Sequence, residues 1–590
     1  MGDYDSKRKK RIVVISISSF VLLAIVVAVT VGYVRNHSNP AAAHGGSGSH
    51  DVSASMKAIK TICQPTDYKQ ACIDSLSSAA GNSSDPKDLI QASFKVAMKQ
   101  VSNAAQRSTV LQELEKDPRA AQALQNCKEL MDYAISDLQT SFQQVADFDV
   151  TKLGKLVADV KVWLSAAITY QETCLDGFQN TTGSAGENMK KALKTSAELT
   201  KNGLAIIDEF ESVFTSLQIP SFRRRLLAED GSDVPEWVDA KRRRLLQASP
   251  ADLKPNMVVA KDGSGDFKSL KRAIEHIPKK TNTTFVLYIK EGVYNEVVRF
   301  NNTLKHLVLI GDGPTKTRIT GRQNFVDGTP TFKTATVSVL GDFFMAKNIG
   351  FENSAGPEKH QAVALRVQAD QSIFYNCHID GYQDTLYAHA KRQFYRDCRI
   401  SGTIDFIFGD AAAVFQNCTM VVRKPMENQQ CIVTAQGRTD RRQPSALVIL
   451  NSRFVSDPAY YPVRNQQKSY LGRPWKEFSR TIIINSFIDD LIQPAGWLPW
   501  MGDYGLKTCF YTEFKNQGPG SPTGSRVKWQ GIKTLTANQA ADFAPGKFID
   551  GDSWIAPSGV PYSSGLTMSG SVSEFETVPG AVNAPAPPPA

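Results

Sequence analysis

From Met56 to Leu217 apolar residues recur at three- and four-residue spacing, as in LIQASFKVAMKQVSNA and LGKLVADVKVWLSAAITYQETCL. That period gathers them on one stripe of an α-helix, so the region is predicted to be all-α, most simply a helical bundle. From Met257 onward the period changes to short runs rich in Val, Ile, Phe and Tyr, separated by Gly, Asn and Asp, which predict strands. The runs also repeat: MAKNIGF around Asn348, FYNCHI around Asn376, FYRDCRI around Asp397, FQNCTM around Asn417, ILNSRF around Asn451 and IINSFI around Asn485, with gaps of 28, 21, 20, 34 and 34 residues. A period near 20 with longer insertions predicts an all-β parallel solenoid, each coil one rung and each insertion a loop. A β-sandwich would supply similar strands but gives no reason for Asn or Asp at one register.

A third pattern is the nearly uncharged run Ile12–Val34, preceded by KRKKR at Lys7–Arg11. About 20 helical residues cross a bilayer core, and basic residues stay on the cytoplasmic side. A signal anchor is therefore expected; a cleaved signal peptide would carry an apolar run of only about 7–15 residues. The chain then divides into a cytoplasmic tail (1–11), the transmembrane anchor (12–34), a linker (35–55), the helical region (56–217), a second linker (218–250), the β region (251–572) and a Pro/Ala-rich tail (573–590).

The second linker carries RRRLL twice, as Arg223, Arg224, Arg225, Leu226, Leu227 and as Arg242, Arg243, Arg244, Leu245, Leu246. Clustered arginines usually just solvate a chain, but an identical pentapeptide repeated within one interdomain segment suits an exposed site for a processing protease. The sequons at Asn82, Asn180, Asn282 and Asn301, with nine cysteines, agree with a secretory, oxidising route. Cys63 with Cys72, and Cys127 with Cys174, are placed to staple the helical region. In the β region Cys377, Cys398 and Cys418 recur on successive coils, so Cys398 could reach disulfide distance of Cys377 or Cys418. The net charge of +10 fits an anionic partner, and no nucleic-acid motif accompanies it.

The candidate chemistry lies in HIDGYQDTLYAHAKRQFYRDCRISGTIDFIFGD, His378–Asp410. Asp384 and Asp405 are 21 residues apart, each three residues after a glycine (Gly381, Gly402) and seven after a cysteine (Cys377, Cys398). On neighbouring rungs about 4.8 Å apart, their carboxyls would meet. Two such carboxylates do not both ionise easily, so one stays protonated as a general acid while the other acts as an anion.

Four segments resemble the signature motifs of plant pectin methylesterases: KDGSGDFKSLKRAI (Lys261–Ile274), GYQDTLYAH (Gly381–His389), GTIDFIFGDA (Gly402–Ala411) and LGRPW (Leu471–Trp475). The helical region resembles the pectin methylesterase inhibitor domain, and the order of anchor, inhibitor-like region, RRLL linker and esterase resembles a two-domain proenzyme. The resemblance implies a right-handed parallel β-helix that hydrolyses the methyl esters of homogalacturonan, modifying the cell wall after export. It also implies that the helical region inhibits or chaperones the esterase, its own or another. It assigns Asp405 as nucleophile, Asp384 as proton donor, Gln361 and Gln383 as oxyanion donors, and Arg473 as the group orienting Asp405. Among substrate contacts it points to Thr331, with Trp475, Trp500, Phe408 and Tyr387 as candidates for stacking on sugar faces. Ile404 and Asp410 depart from the expected Val and Asn.

No histidine pair has metal-ligand spacing, and GSG at Gly263–Gly265 lacks the third glycine of a dinucleotide loop, so neither metal nor cofactor is expected. A β-helix depolymerase of the polygalacturonase type should show NTD, GHG and RIK segments, which are missing. An inactive wall-binding relative should have lost Asp384, Asp405 or Arg473, which are present.

Overall fold

The computed structural model describes residues 47–147, 152–216 and 254–567. The expected anchor and both RRRLL motifs lie outside the described residues. Among the described residues no helix is long and apolar enough to cross a membrane.

Six helices come first: α1 (Ser47–Ile62), α2 (Lys69–Ala79), α3 (Pro86–Leu114), α4 (Pro118–Ala146), α5 (Leu153–Asp176) and α6 (Ala185–Ser216). α1 starts inside the expected linker, because the small and polar residues from Ser47 to Ser55 include no proline to stop a helix growing backward. α3 and α4 open on the same device. Pro86 and Pro118 occupy the first helical position, and the preceding Asp85 and Asp117 accept from the N–H groups of Lys87 and Arg119 at 2.8 and 2.9 Å.

The chain forms two compact units. One comprises the described residues up to 100 with 138–164 and 194–216. Its Cys63–Cys72 disulfide closes the α1–α2 corner. Asn202 also ties α6 to the backbone of Tyr68. The other comprises 101–137, 165–193 and the described residues from 254 onward. Here Cys127 of α4 is bonded to Cys174 of α5, and Ser108 Oγ donates to the Leu124 carbonyl at 2.6 Å.

The β region winds into three parallel sheets of ten, seven and eight strands, in which each strand pairs with its counterpart one coil away. This is a right-handed parallel β-helix. Its inward side chains stack in ladders: Phe374 on Tyr395 with ring centroids 5.0 Å apart, and Tyr395 on Phe415 at 4.6 Å. The outer face of the ten-stranded sheet is apolar too, and the short C-terminal helices bring Ala540, Phe543, Trp554 and Ile555 against it.

The sequence repeat now has a cause. Asn348, Asn376, Asp397, Asn417, Asn451 and Asn485 all have φ between 49° and 59°, the left-handed region that Asn and Asp tolerate best. Each begins a two-residue corner between a strand of the first sheet and one of the third. The side chains bond along the stack, Asn376 to Asn348 at 2.8 Å and Asn417 to Asp397 at 2.6 Å.

The residue after each of these points inward: Ile349, Cys377, Cys398, Cys418, Ser452 and Ser486, all buried. This corrects the expected disulfide at Cys398 and Cys418, since Cys377, Cys398 and Cys418 are all free thiols. The corner takes a buried side chain of varied size, isoleucine in the first of these coils, cysteine in three and serine in the last two. Each Sγ donates instead to a carbonyl of the preceding coil, Cys398 to Phe374 at 3.4 Å and Cys418 to Tyr395 at 3.5 Å. Of the sequons, Asn82, Asn180 and Asn282 are exposed, whereas Asn301 is half-buried and its Oδ1 accepts from Thr303.

Candidate active site

The seven-stranded sheet carries the site. Its strands Leu386–Ala388 and Ile407–Gly409 pair with Leu386 opposite Ile407. The same offset sets Asp384 opposite Asp405, two residues before each strand. The Asp384 N–H donates to the Ile404 carbonyl at 3.0 Å, locking the two turns together. Both aspartates have positive φ, 61° and 50°. The repeated glycine is required by close approach: a Cβ on Gly402 would lie 2.3 Å from Phe406 Cβ and 2.7 Å from Thr385 Oγ1.

The two carboxyls are buried, at 8% and 4% exposure, but differ in partners. Arg473 grips Asp405 with both arms of its fork, Nε to Oδ1 at 2.8 Å and Nη2 to Oδ2 at 2.5 Å. Asp384 has no such partner among the described residues. Burial first, and the charge of Asp405 second, push its carboxyl well above the usual carboxylate range, with Arg473 acting the other way. One buried carboxylate is thus held by a cation while the other favours its proton, the division of labour that acid and nucleophile need.

Gln361 and Gln383 line the same cavity, and their side-chain amides make no hydrogen bond among the described residues. Free neutral donors next to a paired carboxylate can receive a developing oxyanion without adding a titrating group. Tyr387 and Phe408 form the floor, stacked with centroids 4.2 Å apart, and Trp475 meets Phe408 edge-on at 5.8 Å. Trp475 lies across Gly437, where a Cβ would sit 2.9 Å from the indole. The Arg473 guanidinium stacks on Trp500 at 4.3 Å, so that aromatic braces the cation which braces Asp405. Thr331 opens a short 3-10 turn and lines the cavity as well. All ten residues expected for catalysis and substrate contact therefore share one cavity.

The sequence did not reveal the rest of the lining. Phe325, Pro330, Phe332 and Ala435 belong to it, and Phe332 could have been found as the neighbour of Thr331 in TPTFKTAT. So do Thr173, Asp176, Gly177 and Gln179, from α5 and the turn after it. No periodicity marks these, since their contribution depends on which end of α5 meets the cleft. Asp176 pairs with Lys476 at 2.5 Å, and Thr173 Oγ1 lies 2.9 Å from His389 Nε2. Asp410, the departure from Asn, is buried and fully satisfied. It accepts from Thr169 Oγ1 and Gln443 Nε2 at 2.6 Å each, from Gln436 Nε2 at 3.0 Å and from Ser445.

Comparison with known proteins agrees with this geometry. Residues 256–552 match the family model Pectinesterase, and residues 57–206 match Plant invertase/pectin methylesterase inhibitor. The chain is 53% identical to "Probable pectinesterase/pectinesterase inhibitor 21" of Arabidopsis thaliana, over 99% of this chain and 86% of that one. It is 46% identical to "Probable pectinesterase/pectinesterase inhibitor 58" of the same plant, over 95% of this chain and 99% of that one. Among solved structures it resembles the pectin methylesterase from carrot, with 47% identity and a TM-score of 0.53, covering 53% of this chain and 99% of that one.

Proposed function

The chain belongs to the pectinesterase family, with an inhibitor-type helical region ahead of the β-helix, and on that premise we propose that it demethylates homogalacturonan through an aspartyl intermediate built on Asp405. The observation that carries this reading is the unequal treatment of the two carboxyls: Asp405 is clamped by Arg473, and Asp384 is left without a cation and inclined to keep its proton.

In the first step an Asp405 oxygen attacks the C6 ester carbonyl of a galacturonate methyl ester. The carbonyl electrons move onto oxygen, where Gln361 and Gln383 donate to them. Collapse of this adduct breaks the bond to the methoxy group, and Asp384 gives that group its proton, so methanol leaves and an acyl anhydride joins the sugar to Asp405. Asp384, now anionic, takes a proton from water, whose oxygen attacks the sugar acyl carbon. The Asp405 carboxylate departs, Asp384 is again protonated, and the polymer carries a free carboxyl group, which loses its proton to solvent. Arg473 holds Asp405 in the attacking orientation throughout. Thr331, Tyr387, Phe408, Trp475 and Trp500 supply the polar and aromatic surface that orients the sugar ring.

Thr173, Asp176, Gly177 and Gln179 at the cavity support a further part of the reading: before processing, the helical region covers its own esterase cleft. Cleavage at one of the RRRLL motifs then frees the esterase from both the helices and the membrane anchor during export to the wall. The test is to incubate the protein with methyl-esterified pectin and follow methanol together with polymer length. Methanol without shortening, lost in Asp405→Asn while pectin binding persists, is the expected result. Shortened chains, or turnover by Asp405→Asn close to wild type, would defeat the proposal.

A further inference from the structure

The seven-stranded sheet turns the middle residue of each strand outward, and pairing across coils aligns these residues in one row: Arg299, Ser338, Arg366, Tyr387 and Phe408. The last two are the aromatic floor of the catalytic cavity. Adjacent strands lie about 4.8 Å apart, so Arg366 is one step beyond that floor and Arg299 three steps.

Arg366 is 1% exposed, yet no acid pairs with it among the described residues. Its guanidinium lies 3.9 Å over the Phe332 ring, Nη1 donates to Gln368 at 3.0 Å, and Nε has no partner. Burial, and then the charge of Arg299, bring its pKa down to about 10. A buried cation without a counterion is costly, which is a reason to look for an anion that belongs there.

The charge of one carboxylate does reach it without bonding it, that of Glu129. Glu129 of α4 accepts from Arg299 Nη2 through Oε1 and from Lys333 Nζ through Oε2, each at 2.5 Å, and from the Tyr133 hydroxyl at 2.6 Å. Burial alone would raise this carboxyl, but the donors prevail and bring it to about 2. Glu129 belongs to the helical region that the proposed processing removes. Its departure would leave two uncompensated cations on the cleft row, Arg299 and Arg366, and a third, Lys333, on the turn that follows Thr331, in a polyanion-binding enzyme.

We infer that Arg299, Lys333 and Arg366 form a carboxylate subsite that takes an already de-esterified galacturonate unit of the polymer, and that the Glu129 carboxylate occupies it in the uncleaved chain. The inference rests on the esterase reading above and deepens it. The subsite lies to one side of the Asp384–Asp405 pair, so a free carboxylate at this fixed distance along the polymer draws the next ester into place.

The test uses the full chain, folded intact, then cut in the 218–250 linker and freed of its helical piece. Two measurements are made on wild type, Arg366→Gln and Lys333→Gln; Lys333 is a third exposed, which keeps its variant clear of folding defects. The first is binding of a fully de-esterified oligogalacturonate. The second is kcat/KM for methanol release from a fully esterified oligomer and from one about half de-esterified. Each substitution is expected to weaken oligogalacturonate binding about tenfold, and to lower kcat/KM about tenfold on the half de-esterified oligomer, through KM. The value on the fully esterified oligomer should stay within about twofold. Equal binding by all three proteins, or parallel losses on both oligomers, overturns the subsite. Absence of methanol from wild type overturns the esterase reading instead, and the binding arm still judges the subsite.

Discussion

Replacing Arg473 by glutamine tests the active site at its most defined contact. The guanidinium makes two charge-assisted bonds to a carboxylate that is 4% exposed, and removing one partner of such a pair costs about 3–5 kcal/mol. At about 1.36 kcal/mol per tenfold in rate, kcat/KM for methanol release should fall roughly 10²–10⁴-fold. Arg473→Lys keeps the charge and one of the two bonds, so it should lose about 1.5–3 kcal/mol, or roughly 10–10²-fold.

The pH profile separates these variants further. In the proposed mechanism Asp384 must be protonated to serve as the acid, so the rate should hold while the pH is below its pKa and fall as the pH rises through it. Burial and Asp405 raise that pKa, and Arg473 is the cation that opposes them. Arg473→Gln should therefore move the alkaline limb to higher pH, and Arg473→Lys should leave it near its wild-type position. Initial rates of methanol release between pH 4 and pH 10, with circular dichroism to confirm folding, decide the matter. A glutamine variant within threefold of wild type, or with an alkaline limb unmoved or shifted downward, would refute the reasoning.

Three other outcomes follow, two from the structure and the last from the sequence and the proposed processing. Asp384→Asn should abolish turnover yet raise Tm by roughly 2–4 °C at pH 7, the effect of about 1 kcal/mol, because it removes a carboxyl whose ionisation the fold disfavours. The gain should vanish near pH 3, below the unfolded value of about 3.9, where the carboxyl is protonated in both states; calorimetry at the two pH values checks it. Cys127→Ser with Cys174→Ser opens a disulfide of sequence separation 47 and should cost the compact unit that contains it about 4 kcal/mol, seen as a lower Tm. Alanine at Arg223–Arg225 and Arg242–Arg244 together should retain the full-length, membrane-attached chain in the secretory pathway, and immunoblots of membrane and wall fractions showing normal export would contradict it.

Much of this protein is readable from one dimension. The change of apolar period near Met257 separates helix from strand, because 3.6 residues per turn and two residues per pleat leave different marks. The recurring Asn or Asp declares the coil, since six successive coils each turn a left-handed corner that these side chains tolerate. The offset of 21 between Asp384 and Asp405 equals the register of the strands that follow them, so the pairing of the carboxyls was legible as well.

Tertiary structure alone decided what lies between coils and across the cleft. The cysteine spacing matched the coil period, but spacing cannot distinguish bonded sulfurs from residues filling an inward corner, and the corner prevailed. Arg473, 68 residues beyond Asp405, reads in sequence only as part of LGRPW; two coils of winding bring its fork onto the carboxylate. The same holds for Arg366, Lys333 and Glu129. Contacts that depend on how separately folded surfaces meet leave no period in the chain, because nothing local constrains which residues face one another. Sequence fixes the coil and its corners through short-range sterics; charge pairing over long separations is settled only when the coils stack and the helices pack.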